Sequence, residues 1–190
     1  MSDESVHKEN RRPPEELEIN SGAMLVVDQF MLGNPQFVEK LDFGPGFNKS
    51  VEEAAILFGG AVVPAGQGKY QVERDAQESL IHLQPEEKAL KQGEEGREVS
   101  RDLFESVGRV FVDTRCVVFV DAGLVNDKNL LDEYRKSRLE KGEKQARDFL
   151  RSKGASVKYG FNRFGDELGI FHDSSTGSIA LWPDVVEDIS

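Results

Sequence analysis

Four residues of this chain have the type and setting to do chemistry: Asp28, Asp121, Asp166 and His172. Asp28 closes the apolar run Met24-Leu25-Val26-Val27, and Asp121 closes Cys116-Val117-Val118-Phe119-Val120. Two carboxylates brought together can share a proton, hold a divalent cation or divide acid and base work between them. His172, beside Asp173 and downstream of Asp166, gives the densest histidine–carboxylate cluster. All four around one centre would make a metal-dependent hydrolase. The spacing favours plainer roles. Asp is a preferred turn-former, so an Asp at the end of a buried strand caps the loop that follows. Neighbours on a strand point to opposite faces, which separates His172 from Asp173 unless a turn intervenes. No His-x-x-x-His or Cys-x-x-Cys spacing offers a ligand set. No catalytic residue, metal or cofactor is therefore expected.

The remaining candidates are structural on the same reasoning. Gly44-Pro45-Gly46 and Gly66-Gln67-Gly68 lack the pattern of a phosphate loop. Cys116, the one cysteine, has apolar neighbours and no base nearby in sequence, which describes an inert core thiol. No Gly-x-Ser-x-Gly elbow is present. His82 lies inside a short strand and is expected to be half-exposed.

The elements that must position these residues repeat. Asn20 through Asp28 and Asp113 through Asp121 share a polar entry, an apolar run and a final aspartate, offset by 93 residues. A capping residue follows each, Asn34 and Asp127. Gly66 onward to Leu80-Ile81-His82-Leu83 matches Gly165-Asp166 onward to Ile179-Ala180-Leu181-Trp182 at an offset of 99. Two related halves follow, about 17–84 and 109–185. The expected fold is α+β: mainly antiparallel sheet, with a few helices packed against it. Residues 1–16 read as a disordered tail and 17–190 as one globular domain. Both apolar runs should be central strands, because unbroken runs mark burial on both faces. Asn34-Pro35 opens a short helix, Ser50 to Glu53 fits a capping box, and Asp127 to Lys153 is a long helix in which Gly142 intrudes. Asp173 to Gly177 is turn chemistry.

Composition narrows the function classes. The 190 residues carry a net charge of −11, which disfavours nucleic acid and anionic membranes and leaves room for a basic protein partner. The N-terminus has no apolar core of a signal peptide, and no run reaches the roughly 18 apolar residues of a membrane span. A cytoplasmic protein is the expectation. The segment from Asp127 to Lys153 is locally basic, but its interleaved acids, as in Glu140–Lys144 and Glu143–Arg147, suit a solvated, ion-paired face.

The run from Asn20 through Asp28, followed by Gly66-Gln67-Gly68-Lys69-Tyr70, resembles the strand-Asp and Gly-x-Gly-x-Tyr grammar of a bacterial family of β-rich domains of unknown function linked to contact-toxin immunity proteins. Gly165-Asp166, Ile170-Phe171 and Gly177-Ser178-Ile179 are similar to that family's glycine-aspartate hairpin. Arg115 replaces the glycine of the first motif, and Glu167-Leu168 departs from the second. The resemblance implies an immunity-type binding protein and brings no active site with it. The functional expectation is a non-catalytic protein that works by binding another protein, as an acidic inhibitor or immunity-type factor. The alternative is the metal-dependent hydrolase built on Asp28, Asp121, Asp166 and His172.

Overall fold

Among the described residues every strand pair is antiparallel, and the strands form two sheets. The computed structural model describes residues 15–41, 47–75, 77–86, 104–111, 116–161, 167–183 and 185–186. In chain order the elements are β1 (Glu15–Ile19), β2 (Ala23–Asp28), α1 (Gln29–Leu32), α2 (Pro35–Glu39), α3 (Phe47–Phe58), β3 (Ala61–Pro64), β4 (Gly68–Asp75), β5 (Leu80–Pro85), β6 (Glu105–Phe111) and β7 (Cys116–Asp121). A 3-10 turn (Leu124–Asn126) leads to α4 (Lys128–Lys141), α5 (Glu143–Ser152), β8 (Ser156–Phe161), β9 (Glu167–Asp173), β10 (Ser178–Trp182) and β11 (Val185–Val186). The larger sheet has the order β1-β4-β5-β10-β9-β6 and the smaller β11-β8-β7-β2-β3. This is the expected α+β fold.

The unbroken apolar runs are explained by what lies on each side of the smaller sheet. Side chains alternate along a strand. Met24 and Val26 of β2, with Val117 and Phe119 of β7, join Leu17, Ile81, Ile179 and Leu181 in a core between the sheets. Leu25, Val27 and Val118 join Phe37, Leu131 and Leu150 in a second core under the helices. Both runs are buried at every apolar position and both are central strands, as the sequence requires.

Both strand orders map onto themselves when β1–β5 are exchanged for β6–β10, with β11 left over. The registers agree with that exchange. Val26 lies opposite Phe119, its own counterpart at an offset of 93. In the larger sheet His82 lies opposite Ala180, which makes the offset there 98. The offset of 99 read from the sequence is thus one residue too long, and a one-residue slip would turn every side chain to the wrong face. At 98, Ile81 and Leu83 match the inward Ile179 and Leu181. Asp75 matches Asp173, and Ser79, with φ of 52°, matches Gly177, with φ of 72°. Between the sheets the correspondence continues through the helices. Asn34 and Asp127 cap α2 and α4 through side-chain bonds to the Gln36 and Leu130 amides, at 3.0 and 3.1 Å. Gly59 and Gly154 both end a helix with φ of 86°, and the next amide in each case returns to the helix, Gly60 to Ala55 and Ala155 to Leu150.

Several local expectations differ. Glu15 and Glu16, assigned to the tail, are the first residues of β1; Glu15 holds Lys158 and Arg151 in ion pairs, which gives them a reason to be ordered. The rest of that tail, residues 1–14, lies outside the described residues, as do the turns at 42–46 and 162–166 and most of the charged segment after Pro85. Leu17 to Asp28, which reads in sequence as one strand-like stretch broken at Gly22, is two strands in different sheets, with Gly22 turning the chain between them at a φ of 78°. Ser50 is inside α3, which starts at Phe47, so it closes no capping box. The long helical segment breaks at Gly142, whose φ of 92° and ψ of 173° no helix accepts, and the chain around the break faces solvent.

Urea denaturation of three variants checks this account. Phe119→Ala should destabilise the fold by about 3–5 kcal/mol, as truncation of a buried aromatic does. Lys141→Gln, on the exposed end of α4, should stay within about 0.5 kcal/mol. Ser79→Gly should stabilise by about 0.5–1 kcal/mol, since it places in the first hairpin the residue that the matching turn already uses.

Candidate functional site

The two strand-end aspartates are engaged by the backbone around them. Asp28 caps α1, its carboxylate accepting from the Phe30 amide at 2.8 Å. Asp121 ties the β1–β2 connection to the end of β7: it accepts from the Asn20, Ser21 and Gly123 amides, each at 3.2 Å, and from the Ser21 hydroxyl. Carboxylate oxygens that accept in this way serve amides that strand geometry leaves unpaired. Their separation follows from the register. Asp28 lies across from Val117, whereas Asp121 lies across from Met24, at the other end of the same ladder. At about 3.3 Å per residue, four steps put the two levels roughly 13 Å apart, against about 2.3–2.6 Å for an oxygen–calcium bond.

His172 belongs to the other sheet, half-buried on β9 opposite Ile179 and Glu105. Asp166 lies outside the described residues. The structure thus does not bring Asp28, Asp121 and His172 together, and among the described residues no three His, Cys, Asp or Glu side chains are grouped to hold a metal. Asp173 caps the β9–β10 turn, accepting from the amides of Ser175 and Thr176 and from both hydroxyls. These bonds, led by the Ser175 hydroxyl, hold its carboxyl down to about 2. Cys116 is buried, and burial pushes its thiol up to about 12, so it is a protonated core residue. His82 is buried rather than half-exposed, against the edge of the Phe104 ring. The basic helices are ion-paired in part: Arg135 to Asp132 at 2.8 Å, Arg147 to Glu143 at 3.8 Å and Arg151 to Asp148 and Glu15 at 3.3 and 3.4 Å. Glu140 and Lys144 straddle the break at Gly142 and form no pair.

A different surface stands out. Ile56 and Leu57 on α3 are 72% and 69% exposed. Val51, Ala54 and Ala55 of the same helix are buried and Phe58 packs against the helix-side core, so the helix already has its inward face. Five apolar residues in a row, Ala54 to Phe58, are more than one helical face can bury. That excess was legible in the sequence. The matching positions of α5, at the offset of 95 that aligns Gly59 with Gly154, are Arg151 and Ser152. The first turns of α3 and the ends of β2 and β3 border an open pocket of about 480 Å³ lined by Gly22, Lys49, Glu52, Val62 and Pro64. Glu52 lies on its wall, while Lys49 is drawn to Glu53 at 3.6 Å. The pocket adjoins β3, the last strand of the smaller sheet among the described residues; at the far side β8 carries β11 on its outer edge.

Compared with known proteins, the chain matches no family model, no curated protein and no solved structure.

The depressed Asp173 carboxyl has a pH consequence. A group whose pKa is lower folded than unfolded contributes stability above its unfolded value, near 3.9, and loses that contribution as pH falls toward 2. Asp173→Asn should therefore flatten the stability profile between about pH 4 and pH 2 relative to wild type, and carboxyl NMR titration of the wild type should place Asp173 near the bottom of that window.

Proposed function

We propose that this protein acts by binding another protein, as an acidic inhibitor or immunity-type factor, and that α3 presents the binding face. The reading treats the chain as two related halves, one of which has been altered for contact. The exposed pair Ile56 and Leu57 carries it: where the matching helix has Arg151 and Ser152, α3 exposes two large apolar side chains side by side. Adjacent exposed apolar residues that the core does not need are favourable to a partner and costly without one. Glu52 and Glu53 flank them, and the chain as a whole carries −11. Both features favour a target with basic and apolar groups, reached faster at low salt. The hydrolase alternative has less support, since Asp28 and Asp121 stand at opposite ends of one ladder.

The test is affinity capture from the native host with the purified chain, followed by binding kinetics of the captured protein at two salt concentrations. The expected result is a protein partner whose association rate falls several-fold between about 50 and 500 mM salt. Retention of no protein partner, or an association rate indifferent to salt, contradicts the reading.

A further inference from the structure

Resting on that reading, we propose that the open pocket beside the first turns of α3 receives an arginine side chain of the partner, with Glu52 as its carboxylate counterpart. The other half of the molecule shows what this place holds when it is filled. Of the residues bordering the pocket, Ala23 and Ala122 match Cys116 and Gln29 at the offset of 93, and Glu52 matches Arg147 at the offset of 95. Cys116 and Gln29 are buried and the Arg147 side chain is only 17% exposed, whereas Glu52 is exposed. Burial is the main cause of the raised Cys116 thiol; Arg147 pulls it back and Asp28 adds to the rise, so both charges lie near the sulfur. The counterparts of Cys116 and Asp28 are Ala23, which lines the pocket, and Asp121, which holds Ser21 on its wall. One half thus seats its own guanidinium near a strand-end aspartate. The other has smaller side chains there and a carboxylate on the helix, and the space stands open.

Charge and lining both select arginine. Glu52 makes no ion pair among the described residues, and Lys49, the cation on the pocket wall, is drawn to Glu53 at 3.6 Å. With Glu52, Glu53 and the buried Asp121 set against Lys49, the surroundings keep a negative excess. Val62 and Pro64 form an apolar wall along which the methylenes of an arginine can lie while its charged head meets Glu52. A guanidinium is planar, weakly hydrated and forks onto a carboxylate, whereas a lysine ammonium is compact and strongly hydrated. The volume of about 480 Å³ has room for one such side chain. Glu52 and Ile56 are four residues apart on α3 and share a face of the helix, so a chain that seats its arginine here brings its flanking residues toward the exposed apolar pair.

The probe is N-acetylarginine methylamide, titrated at constant ionic strength into the full isotope-labelled chain and followed by the backbone amide NMR signals. The matching citrulline and lysine derivatives are titrated alongside; citrulline keeps the shape of arginine without its charge. Two variants accompany them, Glu52→Gln and Glu52→Arg, the second of which installs the residue of the matching helix, and urea denaturation verifies that both fold. The expected result is a saturable shift centred on the amides of Ser21 to Ala23, Val62 and Ala122, with arginine binding about tenfold tighter than citrulline and several-fold tighter than lysine. Glu52→Gln should weaken it about tenfold, and Glu52→Arg should abolish it. Absence of a saturable shift at these amides, equal binding of citrulline or lysine, or indifference to both substitutions overturns the proposal. The two readings fail separately: a captured partner that binds Glu52→Arg as tightly as wild type removes the arginine pocket and leaves protein binding intact, whereas a host that yields no partner removes the broader reading.

Discussion

The antiparallel ladder between β2 and β7 is the constraint on which the rest of this structure depends. It joins the two sets of five strands in the smaller sheet, it is centred on Val26 opposite Phe119, and the apolar runs Met24–Val27 and Cys116–Val120 are almost wholly removed from solvent. One side of the ladder faces the larger sheet and the other faces the helices, so each core is built on it. This explains why neither run contains a polar residue before its final aspartate. It also explains what those aspartates do: a central strand buried on both faces must end in a group that satisfies the amides of the next turn, and Asp28 and Asp121 each do that at their own end.

How much of this was legible in the sequence depends on which interactions are local. The caps Asn34 and Asp127, the turn from Asp173 to Gly177 and the two buried runs were readable because each is fixed by residues within a few positions of one another. The direction of pairing was not. Had β2 and β7 been parallel, their aspartates would lie at the same end and a carboxylate pair would follow; antiparallel pairing sends them to opposite ends, and nothing within either run encodes that choice. The division of Leu17 to Asp28 between two sheets was hidden for the same reason. Gly22 signalled a break, but only long-range pairing decides that the strand before it leaves for a different sheet. The single-residue error in the later offset arose where the matched residues were short and common, and the inward alternation of Ile81, Leu83, Ile179 and Leu181 corrects it.

The correspondence between the two sets of strands is most informative where it fails. Residues that match across it, such as Gly59 with Gly154 or Asp75 with Asp173, serve the fold. Ile56 and Leu57, against Arg151 and Ser152, are exposed rather than packed, and among the described residues the strand β11 that closes one edge has no counterpart at the other. Both departures fall on the same side of the molecule, at α3 and the neighbouring β3. A fold this symmetric supplies its own control, and the functional proposal rests on that comparison rather than on any cluster of reactive groups.

Native-state hydrogen exchange tests the central claim about the ladder most directly. If β2 and β7 hold the molecule together, the amides of Leu25 to Val27 and Val118 to Val120 should exchange only through global unfolding, with opening free energies equal to the total stability measured in urea. The edge strands β3 and β11 should open at lower free energy. Exchange of the β2 and β7 amides through a local opening, while either edge strand stays protected, would contradict the account.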